Sequence, residues 1–298
     1  MSGGCIEGLL LKAVGGLYTA ETSSGIFECR ARGIFRKQNI SPCAGDRVIL
    51  TDIDGSTAVV DKILPRKNSI VRPPLANLDC MVFVISTCDP SPNFTLLDKF
   101  LAIAEYKGIK SVIAVTKIDL QKNSAIVDIY RNSGAELIEV DYENEASYIK
   151  LYEMLAGKVS AFTGNTGVGK STLLNHFSPD FEVKTGEISK KLGRGRHTTR
   201  SVELYKLNNG GYIADTPGFS TFETQKYDII LKEDLAGCFP EFREYEGKCR
   251  FPDCAHIKEK GCAVLRAVES GLIPASRHSS YAEMYEEAKQ IKEWELKQ

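Results

Sequence analysis

The residues best suited to chemistry form one short segment near the middle of the chain. Residues 164–171 read Gly-Asn-Thr-Gly-Val-Gly-Lys-Ser, which matches the pattern Gly-x-x-x-x-Gly-Lys-Ser/Thr. The apolar run Val159 to Phe162 before it predicts a buried strand, and Lys170 to Phe177 predicts a helix. In that context the loop points backbone N–H groups at phosphate oxygens. A ligand-free glycine turn is the alternative, but the segment favours a phosphate site.

Each chemical group in this segment has an expected role. Lys170 would reach the outer phosphates, and the Ser171 hydroxyl would bind Mg²⁺. Further along, Asp215-Thr216-Pro217-Gly218 follows a predicted strand; Asp215 would hold Mg²⁺ through water, and the Gly218 N–H would contact the γ-phosphate. A simple turn with proline second is the alternative. The residues of the loop expected to contact nucleotide are Gly164, Asn165, Thr166, Gly167, Val168, Gly169, Lys170, Ser171 and Thr172.

A second segment indicates which nucleotide binds. Thr116-Lys117-Ile118-Asp119 matches the pattern Asn/Thr-Lys-x-Asp and follows a predicted buried strand at Val112 to Val115. The Asp119 carboxylate can accept from the N1–H and the amine of guanine, a pair of donors that adenine lacks. Such a bidentate contact is worth about 1–3 kcal/mol of discrimination. The four residues Thr116, Lys117, Ile118 and Asp119 therefore predict GTP and GDP as ligands; a chance match on a surface turn is the alternative.

A cysteine cluster near the end of the chain predicts a metal site. Cys249, Cys254, His256 and Cys262 have the spacing C-x4-C-x-H-x5-C. Three thiolates and one imidazole complete a tetrahedral Zn²⁺ shell and leave no position for water, so the site should be structural. Buried free cysteines are the alternative.

Composition describes an ordinary globular chain. Its 298 residues carry a formal net charge of −1, with 43% hydrophobic and 26% charged residues, so overall charge does not indicate nucleic-acid binding. Nothing at the N-terminus resembles a signal peptide, and no apolar run approaches the roughly 20 residues that span a bilayer. With nine cysteines, we expect reduced thiols or metal ligands in a cytoplasmic protein without membrane contact.

The elements that must position these residues fall into two patterns. Five short runs separated by turn residues, from Ile6 to Ile63, predict an OB-like barrel. Its clustered basic residues suit either RNA contact or a solvated face; they are Arg30, Arg32, Arg36, Lys37, Arg66, Lys67 and Arg72. The three prolines in Pro65 to Leu78 predict a linker. From Cys80 to Phe177, alternating strands and helices predict a parallel α/β sheet, and a final charged helix is predicted from about Ser279 to Lys297.

The order of the motifs is unusual, because ordinary GTPases carry the guanine-reading segment after the phosphate loop. Together with Cys29-Arg30-Ala31-Arg32-Gly33, Gly45-Asp46-Arg47-Val48 and Pro65-Arg66-Lys67-Asn68, this order makes the chain resemble the circularly permuted GTPases of the ribosome small subunit-dependent GTPase A family. The resemblance covers essentially the whole chain and includes the zinc ligands. We expect a multidomain α/β protein, with an RNA-binding OB-like barrel at 1–66, a circularly permuted P-loop GTPase domain at 67–222 and a helical zinc-binding domain at 223–298.

The resemblance also implies a mechanism and a partner. His197 is similar to the water-orienting residue of the family, although a histidine in a basic loop more often contacts RNA or solvent. Thr198 or Thr199 would add a ligand to Mg²⁺. Many GTPases place a catalytic glutamine where this chain has Phe219, so we expect feeble hydrolysis without a partner. The implied partner is the small ribosomal subunit and its rRNA, bound by a monomer late in subunit maturation and released on hydrolysis.

Two departures keep other hypotheses open. The strand end Val140-Asp141-Tyr142 stands where GTPases usually carry a Ser-Ala pair that supports guanine, so that contact cannot be assigned. Phe219 keeps open a non-enzymatic RNA-binding scaffold that uses GTP only as a conformational ligand. A general P-loop ATPase is the third hypothesis, under which ATP would compete well with GTP.

Overall fold

The computed structural model describes residues 4–37, 40–121, 124–178, 202–215 and 229–291. The chain divides into two compact units, each assembled from separate stretches of sequence. The first unit comprises Met1–Cys80, Leu151–Thr163 and Lys170–Pro217. The second comprises Met81–Lys150, Gly164–Gly169 and Gly218–Gln298. Among the described residues, no helix is both long and apolar enough to cross a bilayer.

The described strands are β1 (Ile6–Val14), β2 (Leu17–Thr22), β3 (Gly25–Ala31), β4 (Arg47–Asp54), β5 (Thr57–Ile63), β6 (Ser69–Ile70), β7 (Leu75–Ala76), β8 (Cys80–Ser86), β9 (Lys110–Thr116), β10 (Glu136–Glu139), β11 (Val159–Thr163), β12 (Leu204–Lys206) and β13 (Tyr212–Asp215). The described α-helices are α1 (Ile34–Lys37), α2 (Phe94–Tyr106), α3 (Ser124–Tyr130), α4 (Glu145–Met154), α5 (Lys170–Phe177), α6 (Lys232–Leu235), α7 (Ala263–Glu269) and α8 (Ala275–Ala288).

The predicted N-terminal barrel is confirmed. Its five strands close in the order β1-β2-β3-β5-β4, with β1 antiparallel to β4 and β3 parallel to β5. Alternate side chains point inward because successive residues of a strand face opposite sides. Leu10, Val48, Leu50 and Val60 are fully buried in the resulting core. The strands of the barrel begin at Ile6 and end at Ile63, as the sequence predicts.

The segment predicted as a linker is tied to the barrel. Arg66 forms a two-pronged ion pair with Asp46, Nε to Oδ1 at 2.6 Å and Nη2 to Oδ2 at 2.8 Å. The Asp46 side chain is fully buried and also accepts from the Cys43 N–H across 2.8 Å. Beyond Arg66, the two-residue strands β6 and β7 pair with each other. Pro73 and Pro74 therefore lie in the turn of a short hairpin, and Pro65 lies before it.

In the first unit, three further strands lie in the order β11-β13-β12. β11 is parallel to β13, whereas β12 is antiparallel to it. All five residues of β11 are buried, as the continuous apolar run predicts. Helix α5 follows after the intervening loop, and Leu173, Leu174 and Phe177 form its buried face.

The second unit contains β9, which ends at Thr116 in the guanine-reading segment, and the strands next to it. β10, β9 and β8 are neighbours in that order, and β10 is parallel to β9. Six of the seven residues of β8 are buried. Helix α2 begins at Phe94, because the Asn93 side chain accepts from the Leu96 N–H across 3.0 Å and caps the helix.

The C-terminal helices pack on α2 around one buried arginine. Arg277 of α8 is 1% exposed; its Nη1 lies 2.6 Å from Asp98 of α2 and its Nε lies 2.7 Å from Glu241. Tyr130 donates to the same Asp98 oxygen across 2.9 Å. The guanidinium also lies over the Phe239 ring at 4.7 Å. This ion network joins helices that are far apart in the sequence.

The predicted final helix is wrong at both ends. Helix α8 begins at Ala275, just after Pro274, and ends at Ala288. Proline before a first helical turn is compatible with the helix because it removes no helical hydrogen bond there. Beyond Ala288 the sequence remains charged, but the described residues 289–291 are not helical, and 292–297 lie outside the described residues.

Candidate functional site

The predicted phosphate loop, residues 164–169, lies against the backbone of its own unit. A Cβ on Gly164 would lie 2.4 Å from the Val84 carbonyl oxygen, so a side chain there would clash with β8. Gly169 has a φ of +87°, in the region that favours glycine, and a Cβ there would lie 2.9 Å from the Tyr142 hydroxyl. The two glycines therefore allow the close approach that a phosphate-binding backbone needs.

The guanine-reading segment meets this loop through Thr116, the last residue of β9. Its buried hydroxyl lies 2.6 Å from the Val168 carbonyl oxygen and 3.1 Å from that of Ile85. A hydroxyl has one hydrogen to donate, so the shorter distance identifies Val168 as its acceptor. The structure thus brings two motifs together that stand in the reverse of their usual order.

Beyond Thr116 the chain turns sharply and presents the rest of the motif. Lys117 has a φ of +57°, uncommon for a residue with a side chain, and its carbonyl accepts from the Thr87 hydroxyl across 2.7 Å. The Lys117 ammonium contacts the Asp89 carbonyl. Ile118 is half-buried and Asp119 is exposed in the turn that follows. Asp119 is therefore open to a ligand from solvent, as a base-reading carboxylate requires.

Tyr142 approaches the loop from the end of the next strand, β10. Its hydroxyl donates to the Gly169 carbonyl across 2.9 Å. Burial raises the pKa of Tyr142 to about 12, because a phenolate would be poorly solvated there. The strand end Val140-Asp141-Tyr142 thus contacts the phosphate loop through Tyr142.

Four further predicted nucleotide residues belong to the first unit: Lys170, Ser171, Thr172 and Asp215. Lys170 is half-buried, and Ser171 and Thr172 are exposed in the first turn of α5. Asp215 ends β13, where its backbone is in parallel register with Phe162 of β11. Four predicted site residues lie outside the described residues, together with Phe219; they are His197, Thr198, Thr199 and Gly218.

The four predicted metal ligands converge in the second unit. The ligand atoms of Cys249, Cys254, His256 and Cys262 all lie within 4.8 Å of one another. The Cys249 and Cys262 sulfurs are 3.9 Å apart, and the His256 Nδ1 lies 3.7 Å from the first and 3.4 Å from the second. Tetrahedral Zn²⁺ with Zn–S bonds of about 2.3 Å requires sulfurs about 3.8 Å apart. The donor set and its spacing therefore fit zinc.

Neighbouring groups support these ligands. The Leu265 N–H donates to the Cys262 sulfur across 3.4 Å at the start of α7, and the Ala263 N–H donates to the Cys249 sulfur across 3.3 Å. Such contacts favour thiolates. Burial lowers the pKa of His256, which keeps its imidazole neutral and able to bind a metal. The His256 carbonyl lies 2.7 Å from the Nε2 of His278.

Comparison with known proteins decides the family. A family model described as RsgA GTPase matches residues 63–225, and one described as RsgA N-terminal domain matches residues 7–60. The chain belongs to the RsgA GTPase family. This RsgA-family chain is 42% identical to a small ribosomal subunit biogenesis GTPase RsgA of Ruminiclostridium cellulolyticum over 296 residues, which covers 97% of this chain and 96% of the relative. It is also 42% identical to the protein of that name in Streptococcus pneumoniae, with 97% and 96% coverage.

Solved structures agree with this assignment. The crystal structure of YjeQ from Thermotoga maritima superposes with a TM-score of 0.81 at 32% identity, covering 97% of this RsgA-family chain and all of that one. YloQ, described as a circularly permuted GTPase, gives a TM-score of 0.78 at 35% identity, with 97% and 96% coverage. The recognised resemblance and its permuted fold are therefore confirmed, and the enzyme class of this RsgA-family chain is GTPase.

Sequence reasoning missed several residues of the site. Thr87 and Asp89, which hold Lys117, stand just beyond the buried strand β8. Ligands of an open α/β sheet bind at the carboxyl ends of its strands. The position of Thr87 and Asp89 just after β8 could therefore have identified them as site residues. At Tyr142 the sequence showed only that the usual Ser-Ala pair is missing. No spacing rule predicts the contact between Tyr142 and Gly169.

Proposed function

We propose that this chain hydrolyses GTP as a step in the biogenesis of the small ribosomal subunit, the role for which its relatives are named. The observation that carries the nucleotide assignment is the hydrogen bond from Thr116 to Val168. It supports one site in which a guanine-reading turn and a phosphate loop serve the same ligand. A role in the biogenesis of ribosomal subunits implies a cytoplasmic protein.

In this proposal, the exposed Asp119 carboxylate accepts from the guanine N1–H and amine, and the Lys117 stem lies along the purine face. The backbone N–H groups of residues 164–171 hold the phosphates, and Lys170 pairs with the outer ones. The expected contacts are to Thr116, Lys117, Ile118, Asp119, Gly164, Asn165, Thr166, Gly167, Val168, Gly169, Lys170, Ser171, Thr172, Asp215 and Gly218.

For hydrolysis, we propose that Ser171 and Asp215, with Thr198 or Thr199, hold Mg²⁺, which when bound offsets the charge on the phosphates. Ser171 suits this role because it is exposed in the first turn of α5. His197 would orient the attacking water. Because Phe219 has no group that can do so, hydrolysis should be slow until the small subunit orders the site.

The cysteine cluster would hold one structural Zn²⁺ through Cys249, Cys254, His256 and Cys262. When bound, the ion would fix the segment that carries Cys249 and Cys254 against the buried cluster that includes Phe239, Phe242 and Tyr281. All four positions of the tetrahedron are filled by protein, so no residue there is free to act on substrate. The proposed domain boundaries are 1–66 for the barrel, 67–222 for the GTPase and 223–298 for the zinc-binding part.

For rRNA binding, we propose the basic residues of the barrel, of the sequence from Lys184 to Arg200 and of the zinc-binding part, in a monomeric protein. Among the barrel residues, Arg66 and Lys67 already pair with Asp46 and Asp79, so we expect Arg30, which is exposed, to contribute more than either. GTP would favour the bound state, and hydrolysis would favour release.

The test is GTP turnover by wild type, His197→Ala and Lys170→Ala, each with and without purified small ribosomal subunits. We expect strong stimulation of wild type, none of Lys170→Ala, and an intermediate or absent response of His197→Ala. A wild-type rate that does not respond to subunits supports the scaffold hypothesis instead. Competition by ATP as effective as by GTP supports the ATPase hypothesis.

A further inference from the structure

Tyr142 lies at a turn that is held firmly in place. The Asp141 N–H donates to the Ser147 hydroxyl across 2.9 Å, and that hydroxyl donates back to the Asp141 carbonyl across 2.8 Å. The Asp141 carboxylate accepts from the Glu143 N–H across 3.0 Å. Immediately before, Val140 is 1% exposed and its N–H donates to Val115 of β9 across 2.7 Å. The backbone on either side of Tyr142 is therefore fixed by α4 and by the sheet.

From this turn, the Tyr142 ring reaches the last glycine of the phosphate loop. Its hydroxyl lies 2.9 Å from the Gly169 carbonyl oxygen and would lie 2.9 Å from a Cβ at that position. The neighbouring carbonyl, that of Val168, accepts from the Thr116 hydroxyl across 2.6 Å. Two consecutive loop carbonyls thus receive hydroxyl donors from the ends of adjacent strands, β10 and β9.

These contacts determine where the loop amides point. In a planar trans peptide, the carbonyl and the N–H of the same unit point in opposite directions. When Tyr142 holds the Gly169 carbonyl, the N–H of Lys170 is turned away from Tyr142. Likewise, when Thr116 holds the Val168 carbonyl, the N–H of Gly169 is turned away from Thr116. Phosphate-binding loops depend on amides that are oriented before the ligand arrives, because reorienting them on binding costs free energy.

We propose that Tyr142 is a positioning residue of the nucleotide site, which orients the Lys170 amide toward the phosphates through the Gly169 carbonyl. The inference rests on the proposed guanine nucleotide function and adds a residue to it. It also explains the departure at the end of β10: a side chain here supports the phosphate loop, in place of the backbone contact to guanine that is usual at this strand end.

The chemistry of a phenol suits this role. Because the pKa of Tyr142 is about 12, its hydroxyl stays protonated and remains a donor at any pH near neutrality. Phenylalanine has the same ring and lacks only the hydroxyl, so Tyr142→Phe removes the donor without leaving a large cavity. The loss of one neutral hydrogen bond predicts about three- to tenfold weaker binding.

The expected effect distinguishes phosphate positioning from base recognition. If Tyr142 orients an amide for the phosphates, Tyr142→Phe lowers the affinity for GDP and for IDP by the same factor. IDP lacks the exocyclic amine that Asp119 would accept from, so the ratio of the two affinities reports on the base alone. That ratio should stay at its wild-type value in Tyr142→Phe and fall towards one in Asp119→Asn.

The experiment measures the Kd of GDP and IDP and the Tm of the ligand-free full-length protein for wild type and four variants: Tyr142→Phe, Asp119→Asn, Lys170→Ala and Tyr281→Phe. Tyr281→Phe is the matched control, since the Tyr281 hydroxyl also donates to a backbone carbonyl, that of Ala255, across 2.8 Å. We expect it to lower the Tm and to leave both affinities unchanged. Tyr142→Phe should weaken both affinities about three- to tenfold.

The outcomes separate the inference from the function on which it rests. If wild type binds GDP and Lys170→Ala does not, but Tyr142→Phe binds like wild type, the positioning role is wrong and the site stands. A changed GDP-to-IDP ratio in Tyr142→Phe also contradicts it, because the residue would then act on the base. If wild type itself binds GDP no better than Lys170→Ala does, the proposed nucleotide site is wrong.

Discussion

The Thr116 hydroxyl donates to the Val168 carbonyl across 2.6 Å, although the two residues are 52 positions apart in the chain. Thr116 begins the segment that would recognise the base, and Val168 belongs to the loop that would bind the phosphates. The hydrogen bond therefore holds the two segments side by side. In a chain whose motifs are permuted, such a contact shows that segments in the reverse of their usual order still lie together.

The first prediction concerns this hydrogen bond. Thr116→Val replaces the hydroxyl with a methyl group of similar size and leaves the Val168 carbonyl without this donor. We expect GDP to bind about three- to tenfold more weakly, as measured by calorimetry. Thr116→Ser keeps the hydroxyl and should bind nearly as wild type does. Equal affinities for the valine and serine variants would show that the hydroxyl does not matter to the site.

The second prediction concerns the base. In Asp119→Asn, the side-chain amide offers a donor where guanine also offers one, so the affinity for GDP should fall by about five- to 150-fold, which corresponds to 1–3 kcal/mol. Xanthine has a carbonyl in place of the exocyclic amine, so XDP should bind this variant better than it binds wild type. Competition against a fluorescent nucleotide measures both. An unchanged GDP affinity in the variant contradicts the assignment of Asp119.

Some of this site was predictable from sequence and some was not. Helix α5 matches its predicted bounds and strand β11 extends one residue beyond its predicted end, because each has a clear local signal: the glycine-rich loop before the helix and the continuous apolar run of the strand. The roles of Arg66 and Tyr142 were not predictable. Their partners, Asp46 and Gly169, are 20 and 27 residues away, and no local pattern specifies such pairs.

The third prediction concerns the metal. Cys254→Ser removes one of four ligands, so the zinc content of the purified protein should fall from about one ion per chain to near zero. Chelation of the wild type should lower the free energy of unfolding by several kcal/mol, because zinc contributes about 10–16 kcal/mol of apparent stability to small sites. Elemental analysis and thermal unfolding measure these effects.

The control for the metal prediction is Cys5→Ser, since Cys5 is exposed and far from the cluster in sequence. It should keep both the zinc and the stability of wild type. A protein that is purified without zinc from zinc-supplemented cells, and that unfolds at the same temperature with or without chelator, would contradict the metal site.

The fourth prediction concerns the buried arginine. Arg277→Met leaves the buried carboxylates of Asp98 and Glu241 without their guanidinium, and we expect a loss of about 3–5 kcal/mol in the free energy of unfolding near neutral pH. Burial already raises the pKa of Asp98, and removal of Arg277 raises it further, so protonation should reduce the loss as the pH falls.

Arg243 provides the comparison. It pairs with Glu105 while its side chain is 54% exposed, so Arg243→Met should cost about 0.2–1 kcal/mol. Urea unfolding at neutral and mildly acidic pH measures both variants. Equal losses from the two substitutions would contradict the structural role of the buried network.

A crystal structure of the protein with GDP tests most directly whether the two motifs serve one ligand. We expect one nucleotide, with its diphosphate on the amides of residues 164–171 and both the N1 and the exocyclic nitrogen of its guanine within about 3 Å of the Asp119 carboxylate. A diphosphate bound in the loop with its base turned away from Asp119, or a nucleotide bound elsewhere, would contradict the claim that the two permuted motifs form a single guanine nucleotide site.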